Sequence, residues 1–259
     1  MPLHDRHDPI KNLDLTFFDG TRPLMVTERI IEESPVDIFA NGQKIITIAC
    51  AGIHLDELAV GYMRAEGMIE AVDEIEEVSV SSKNDAVHIK VTKEIHTAHE
   101  KSIFSSGAKA VAQAIKSSTI TSDVTLGALD ALRLMEAHLA VTIIHGETHG
   151  THCSSLADDQ EGIMISREDI GRHNTVDMLG GYTLLRHIDC ARKILLTTGR
   201  ISSEIVTKIW RLGIPIILSH AVPTSRAITM AADAGITIIG YMRRGTMRVY
   251  THKERVLFL

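Results

Sequence analysis

From residue 193 onward the sequence alternates short apolar runs with amphipathic stretches, and this alternation restricts the chain to few folds. Residues 193–197, 214–218 and 236–241 read as buried strands, and residues 202–212 and 224–234 between them read as helices. Apolar strands separated by helices predict a mostly parallel sheet covered on both faces, with ligands at the strands' C-terminal ends. Residues 247–251 suit a closing strand. With 259 residues and 44% hydrophobic content, the chain can bury a full core as one large domain or as a small and a medium one.

The first ninety residues have a different texture. Strand signals run through 22–26, 36–49 with an Asn41-Gly42 hairpin turn, 78–80 and 86–92. One helix interrupts them, with Leu55, Leu58, Ala59, Tyr62 and Met63 on one face, Asp56 and Glu57 in its first turn and Gly67 beyond its end. Residues 1–95 therefore predict a smaller α+β domain. A Ser, Thr, Ala, Lys and His-rich segment, 96–124, reads as a linker or mobile loop, and 125–259 as the α/β domain. That domain opens with a helix through Leu126, Leu129, Leu132, Met135 and Leu139, and residues 141–144 read as a strand leading into the polar run 145–155.

Residues 166–180 join a short apolar run at 163–165 to a helix, and their polar groups have no evident part in a core. Arg172 and His173 then sit near a helix N-terminus, where free N–H groups and a guanidinium favour an anion such as phosphate. The turns from Thr198 through Arg200 and Ser202 to Glu204 and from Ser219 through Thr224 to Ser225 lie at two further strand ends, so three turns can surround one anionic ligand. The alternative is plain capping, since Asp169, Ser202, Ser203 and Thr224 are good caps and Arg172 can pair with Glu168. Tyr241, Met242, Arg243, Arg244, Gly245 and Thr246 form either a phosphate-binding turn or a solvated hairpin.

A net charge of −6 argues against a generic nucleic-acid binder. No apolar run reaches the roughly 18 residues of a membrane span and residues 1–14 contain no apolar signal segment, so a cytoplasmic protein is expected. Cys50, Cys153 and Cys190 are widely separated and odd in number, so they supply neither a CxxC pair nor a disulfide framework. His145, His149, His152 and Cys153 invite a zinc reading, but further ligands are not evident and no permanent metal is expected.

Several segments together resemble the formate dehydrogenase accessory protein family (FdhD, the sulfur carrier family). They are Glu33-Ser34-Pro35 with Asn41-Gly42, residues 56–69, Thr151-His152, residues 168–177, residues 199–204, Pro223-Thr224-Ser225 and residues 249–252. The resemblance spans nearly the whole chain and implies a cytidine-deaminase-like three-layer α/β domain and a homodimer. It also implies that a cysteine desulfurase loads sulfur onto a CxxC loop, and that the sulfur passes to a molybdenum or tungsten bis(guanine dinucleotide) cofactor destined for formate dehydrogenase. By this resemblance the cofactor maps to Tyr241 through Thr246. The expected CxxC positions hold Ser106 and Lys109, neither of which can form a persulfide, and Cys153 beside His152 is the candidate replacement. One other reading follows from that departure, a carrier that has lost sulfur transfer; a zinc-dependent deaminase is suggested instead by the fold relation with His145, His149, His152 and Cys153, although its PCxxC and HxE elements are missing.

Overall fold

The computed structural model describes residues 8–95, 114–115, 117–158 and 161–258. A ribbon of two antiparallel strands, β1 (Ile10–Phe18) and β2 (Pro23–Ile31), begins the described chain. The alternation across β1 is too weak for the strand to be expected from sequence. A four-stranded sheet follows, ordered β4-β3-β6-β5, from β3 (Ser34–Ala40), β4 (Gln43–Cys50), β5 (Ile75–Val80) and β6 (Ala86–Val91). Asn41 and Gly42, at φ 48 and 80, make the tight β3–β4 turn, and both left-handed conformations explain the Asn-Gly pair there. Helix α1 (Leu55–Ala65) lays Leu55, Leu58, Ala59 and Met63 on this sheet's core.

The larger sheet has the order β13-β12-β11-β10-β8-β9. Its strands are β8 (His152–Asp158), β9 (Gly162–Asp169), β10 (Ile194–Thr197), β11 (Ile216–Ser219), β12 (Thr237–Arg243) and β13 (Thr246–Val249). The expected parallel run is present in β10-β11-β12, while β8 and β13 run against their neighbours, so the sheet is mixed. Helices α4 (Arg172–Leu185), α5 (Ser203–Leu212) and α6 (Ser225–Ala234) cover one face. Helix α2 (Ala128–Ala140) covers the other, beside the short parallel pair β7 (Leu126–Gly127) and β14 (Val256–Leu257). The result is three layers, helix, sheet and helix.

Helix α4 belongs to both units. Met178 and Leu184 lie in the core under the small sheet, whereas Val176 and Leu179 lie in the core of the large one. Gly61 and Gly181 allow α1 and α4 to touch backbone to backbone: a Cβ at Gly61 would stand 1.7 Å from the Asp177 carbonyl oxygen, and one at Gly181 would stand 1.9 Å from that of Glu57. The described part of the expected linker is packed as well. Ile115 and Val124 are fully enclosed, and Ile120 N–H donates to the Ala234 carbonyl.

Two local expectations are corrected. Residues 141–144 are not a strand; the chain turns into a short helix, α3 (Ile143–Thr148), because the Glu168 carboxylate accepts from the Ile144 and His145 amides and holds its first turn. The buried stripe of α2 is Ala131, Leu134, Met135 and His138, while Leu129 and Leu139 are exposed. An alanine and a histidine serve as core residues there, and a count of large apolar side chains overlooks both.

Candidate functional site

Helix α4 and the β10, β11 and β12 turns meet along one edge of the large sheet. His220 N–H donates to Thr197 O at 3.1 Å, Ile201 N–H to Val222 O at 3.3 Å, Thr224 N–H to Ile201 O at 3.0 Å and Tyr241 N–H to Ala221 O at 2.7 Å. These bonds tie the three strand ends into a continuous rim. Gly199 seats Arg172 against it, since a Cβ at residue 199 would lie 2.9 Å from the Arg172 Cβ. Strand β8 starts beside the rim, with the His152 ring nitrogen Nδ1 3.4 Å from Thr198 Oγ1 and Cys153 N–H donating to Thr198 Oγ1 at 3.0 Å. Arg172, His173, Arg200, Ser202, Thr224 and the Tyr241–Thr246 turn thus share one edge of the fold.

The rim is cationic. Burial is the main cause that lowers the His152 pKa, and Arg172 and Arg200 lower it further. Burial, Lys208 and Arg172 bring His173 down to about 4, with Glu204 opposing. His220 is lowered by burial and then by Arg243, whose Nε donates to the His220 carbonyl at 3.3 Å. These imidazoles are neutral near pH 7, and the charge rests on guanidinium groups. The Tyr241 ring lies close to two of them, with Arg248 4.3 Å and Arg243 5.2 Å from its centroid.

The capping alternative is also realised. Ser202 Oγ accepts from Ile205 N–H at 3.4 Å and Thr224 Oγ1 from Ala227 N–H at 3.2 Å, which leaves each hydroxyl proton for an outward acceptor. Residues 243–246 form a hairpin, with Arg244 at φ 51, Gly245 at φ 72 and Thr246 Oγ1 donating to Arg243 O at 2.8 Å. The turn presents arginine side chains, whereas Met242 is 2% exposed and packs into the core under α2.

The stretch 166–180 needs a larger correction, because most of its polar groups do build the core. Asp169 accepts from the Ala51 and Gly171 amides at 2.8 and 2.9 Å and from Asn174 Nδ2 at 2.7 Å; Asn174 also donates to Ala49 O. Arg167 makes a two-pronged contact with Glu57 on α1, and Lys208 pairs with Asp177. Glu168 holds α3 rather than pairing with Arg172. Arg172 and His173 are the residues of this stretch left at the rim. Distance in sequence hid these pairings, since the partners lie more than a hundred residues away for Ala51, Ala49 and Glu57.

Cys153 is completely buried, and desolvation pushes its thiol up to about 12. The expected help from His152 is absent: adjacent strand residues face opposite sides of the sheet, and that imidazole is itself held neutral. Ser106 and Lys109 lie outside the described residues. Among the described residues no three His, Cys, Asp or Glu side chains form a group that could hold a metal ion. His145 instead contacts Thr151 O through Nδ1, and its ring meets that of His149 edge to face. No helix of the described residues is long and apolar enough to cross a membrane.

These features define a mixed α/β protein that presents a cationic rim at the strand ends of a three-layer unit. Residues 31–257 match the model of the FdhD/NarQ family, and the chain belongs to that family. It is 31% identical over 258 residues to the sulfur carrier protein FdhD of Staphylococcus haemolyticus (strain JCSC1435), covering 96% of this chain and 97% of the relative. Identity to the protein of the same name from Staphylococcus aureus (strain JH9) is 32% over 240 residues, 89% of this chain and 90% of that one. Its fold is similar to the crystal structure of a protein from Desulfotalea psychrophila described as a formate dehydrogenase accessory protein. The TM-score is 0.80 at 23% identity, over 96% of this chain and 100% of that one.

Proposed function

We propose that this protein is a cytoplasmic, homodimeric accessory factor in formate dehydrogenase maturation, and that its rim binds the molybdenum or tungsten bis(guanine dinucleotide) cofactor as cargo. The observation that carries this reading is the convergence of Arg172, Arg200, Arg243 and Arg244 on one edge, in a chain whose net charge is −6. Phosphate oxygens suit guanidinium forks, and the Ser202 and Thr224 hydroxyls add outward donors. The three layers accord with a cytidine-deaminase-like assignment, and a cysteine desulfurase is the sulfur donor that family membership suggests.

A second form of this reading, a carrier without sulfur transfer, is favoured by the thiols. The chain has three cysteines, and all three are buried. Calorimetric titration with guanosine diphosphate tests the common part. The expected result is binding that weakens at least tenfold in the Arg243→Ala, Arg244→Ala double variant, and absence of binding to the unmodified protein overturns the proposal.

A further inference from the structure

At the C-terminal end of α5, away from the rim, lies a groove of about 420 Å³ whose walls include Arg64, Glu70, Ser118, Trp210 and Arg211. We propose that this groove is a second anion site, which takes the phosphate group of a small phosphate-bearing molecule. Its two guanidiniums come from different helices. Arg64 at the end of α1 donates through one nitrogen to Gly180 O and Thr183 Oγ1, both at 3.1 Å, and has no carboxylate partner among the described residues. Arg211 is likewise without a carboxylate, and its buried Nε has no hydrogen-bond partner among the described residues.

The surroundings make room for these cations without neutralising them. Gly67, at φ +73, leaves space that a Cβ would take from the Arg211 guanidinium, since the two would stand 2.7 Å apart. Arg211 lies 5.9 Å from the Trp210 ring centroid, and the indole is fixed by its N–H donating to Ser118 O at 2.7 Å. Glu70 is the one carboxylate among the lining residues, against two guanidiniums. Two guanidiniums supplied by separate helices offer more N–H donors than a single bidentate carboxylate contact uses, and a phosphate group, with three terminal oxygens and up to two charges, matches that supply better. The volume falls within the usual range for small-ligand sites, about 300–1,000 Å³.

Trp210 is the chain's sole tryptophan, so indole fluorescence reports on this groove alone. The probes are inorganic pyrophosphate and ribose 5-phosphate, titrated at low ionic strength into the full-length protein. A saturable change in emission with at least one probe is expected, weakened tenfold or more in Arg211→Gln and less in Arg211→Lys. The Arg243→Ala, Arg244→Ala variant should keep the response, which separates this site from the rim and from the proposal made for it. Circular dichroism confirms that each variant is folded. An unsaturable response to both probes, or equal affinity in Arg211→Gln, overturns the inference.

Discussion

Cys153 shows how one residue's surroundings decide a chemical question. Sulfur transfer needs a thiolate that reaches the donor persulfide, and the fraction of thiolate falls tenfold for each unit by which the pKa exceeds the pH. Burial lifts both Cys50 and Cys153 to about 12 and raises Cys190 as well. The sequence places His152 next to Cys153, but strand geometry turns one toward α4 and the other toward α2, as the neighbours Ser154 and Ser155 show by bonding Thr175 and His138. Adjacency in the chain was legible; the opposed faces depend on pairing. Incubation with a cysteine desulfurase and cysteine should therefore leave the intact mass unchanged after desalting. A gain of one sulfur atom that disappears in Cys153→Ser would show that this thiol opens to solvent and would reverse the conclusion.

At the scale of elements, the α1–α4 contact is the feature on which the two units depend. The α1 sequence displays its apolar face and Gly67 plainly, and both are confirmed in the structure. Gly61, Gly180 and Gly181 carry no such signal, because a glycine inside a helix reads as a weak point until a second backbone is seen against it. The same limit applies to α3, which is held by a carboxylate on β9, whereas the strand–helix alternation after residue 193 was readable because each element carries its own apolar pattern. The rim was half legible: its turns and arginines stand in the sequence, but their meeting depends on sheet order. Adding a methyl group at Gly61 forces it into the Asp177 carbonyl, and α1 cannot back away without straining the Arg167–Glu57 contact that ties it to β9. Gly61→Ala should cost about 3 kcal/mol or more in urea unfolding, at the upper end for overpacking. A loss below about 1 kcal/mol would mean that the two helices part easily.

Across the whole molecule, buried histidines couple stability to pH. Desolvation lowers His54, His138, His152, His173 and His220, with His138 and His173 reaching about 4. Each folded-state pKa lies below the unfolded value of 6.5, so the unfolded chain binds more protons as the pH falls. Stability from these groups is full above pH 6.5 and declines down to about 4, where it levels off. Asp169 and Asp177 act in the opposite sense: burial raises both, Asp177 to about 6, so protonation below that pH relieves part of their cost. His138 and His173 are each lowered by about as much as Asp177 is raised, and His54, His152 and His220 add to them, so the histidines prevail. His138 has no exposed surface, its Nδ1 faces Ser155 Oγ at 2.7 Å, and its Nε2 has no partner among the described residues. Lowering the pH from 7 to 4.5 should remove about 2–3 kcal/mol through this residue alone. Urea midpoints measured across that interval should fall steadily in the natural chain. In His138→Asn, whose starting stability is lower, the slope should flatten; an equal slope in both would place the pH dependence elsewhere.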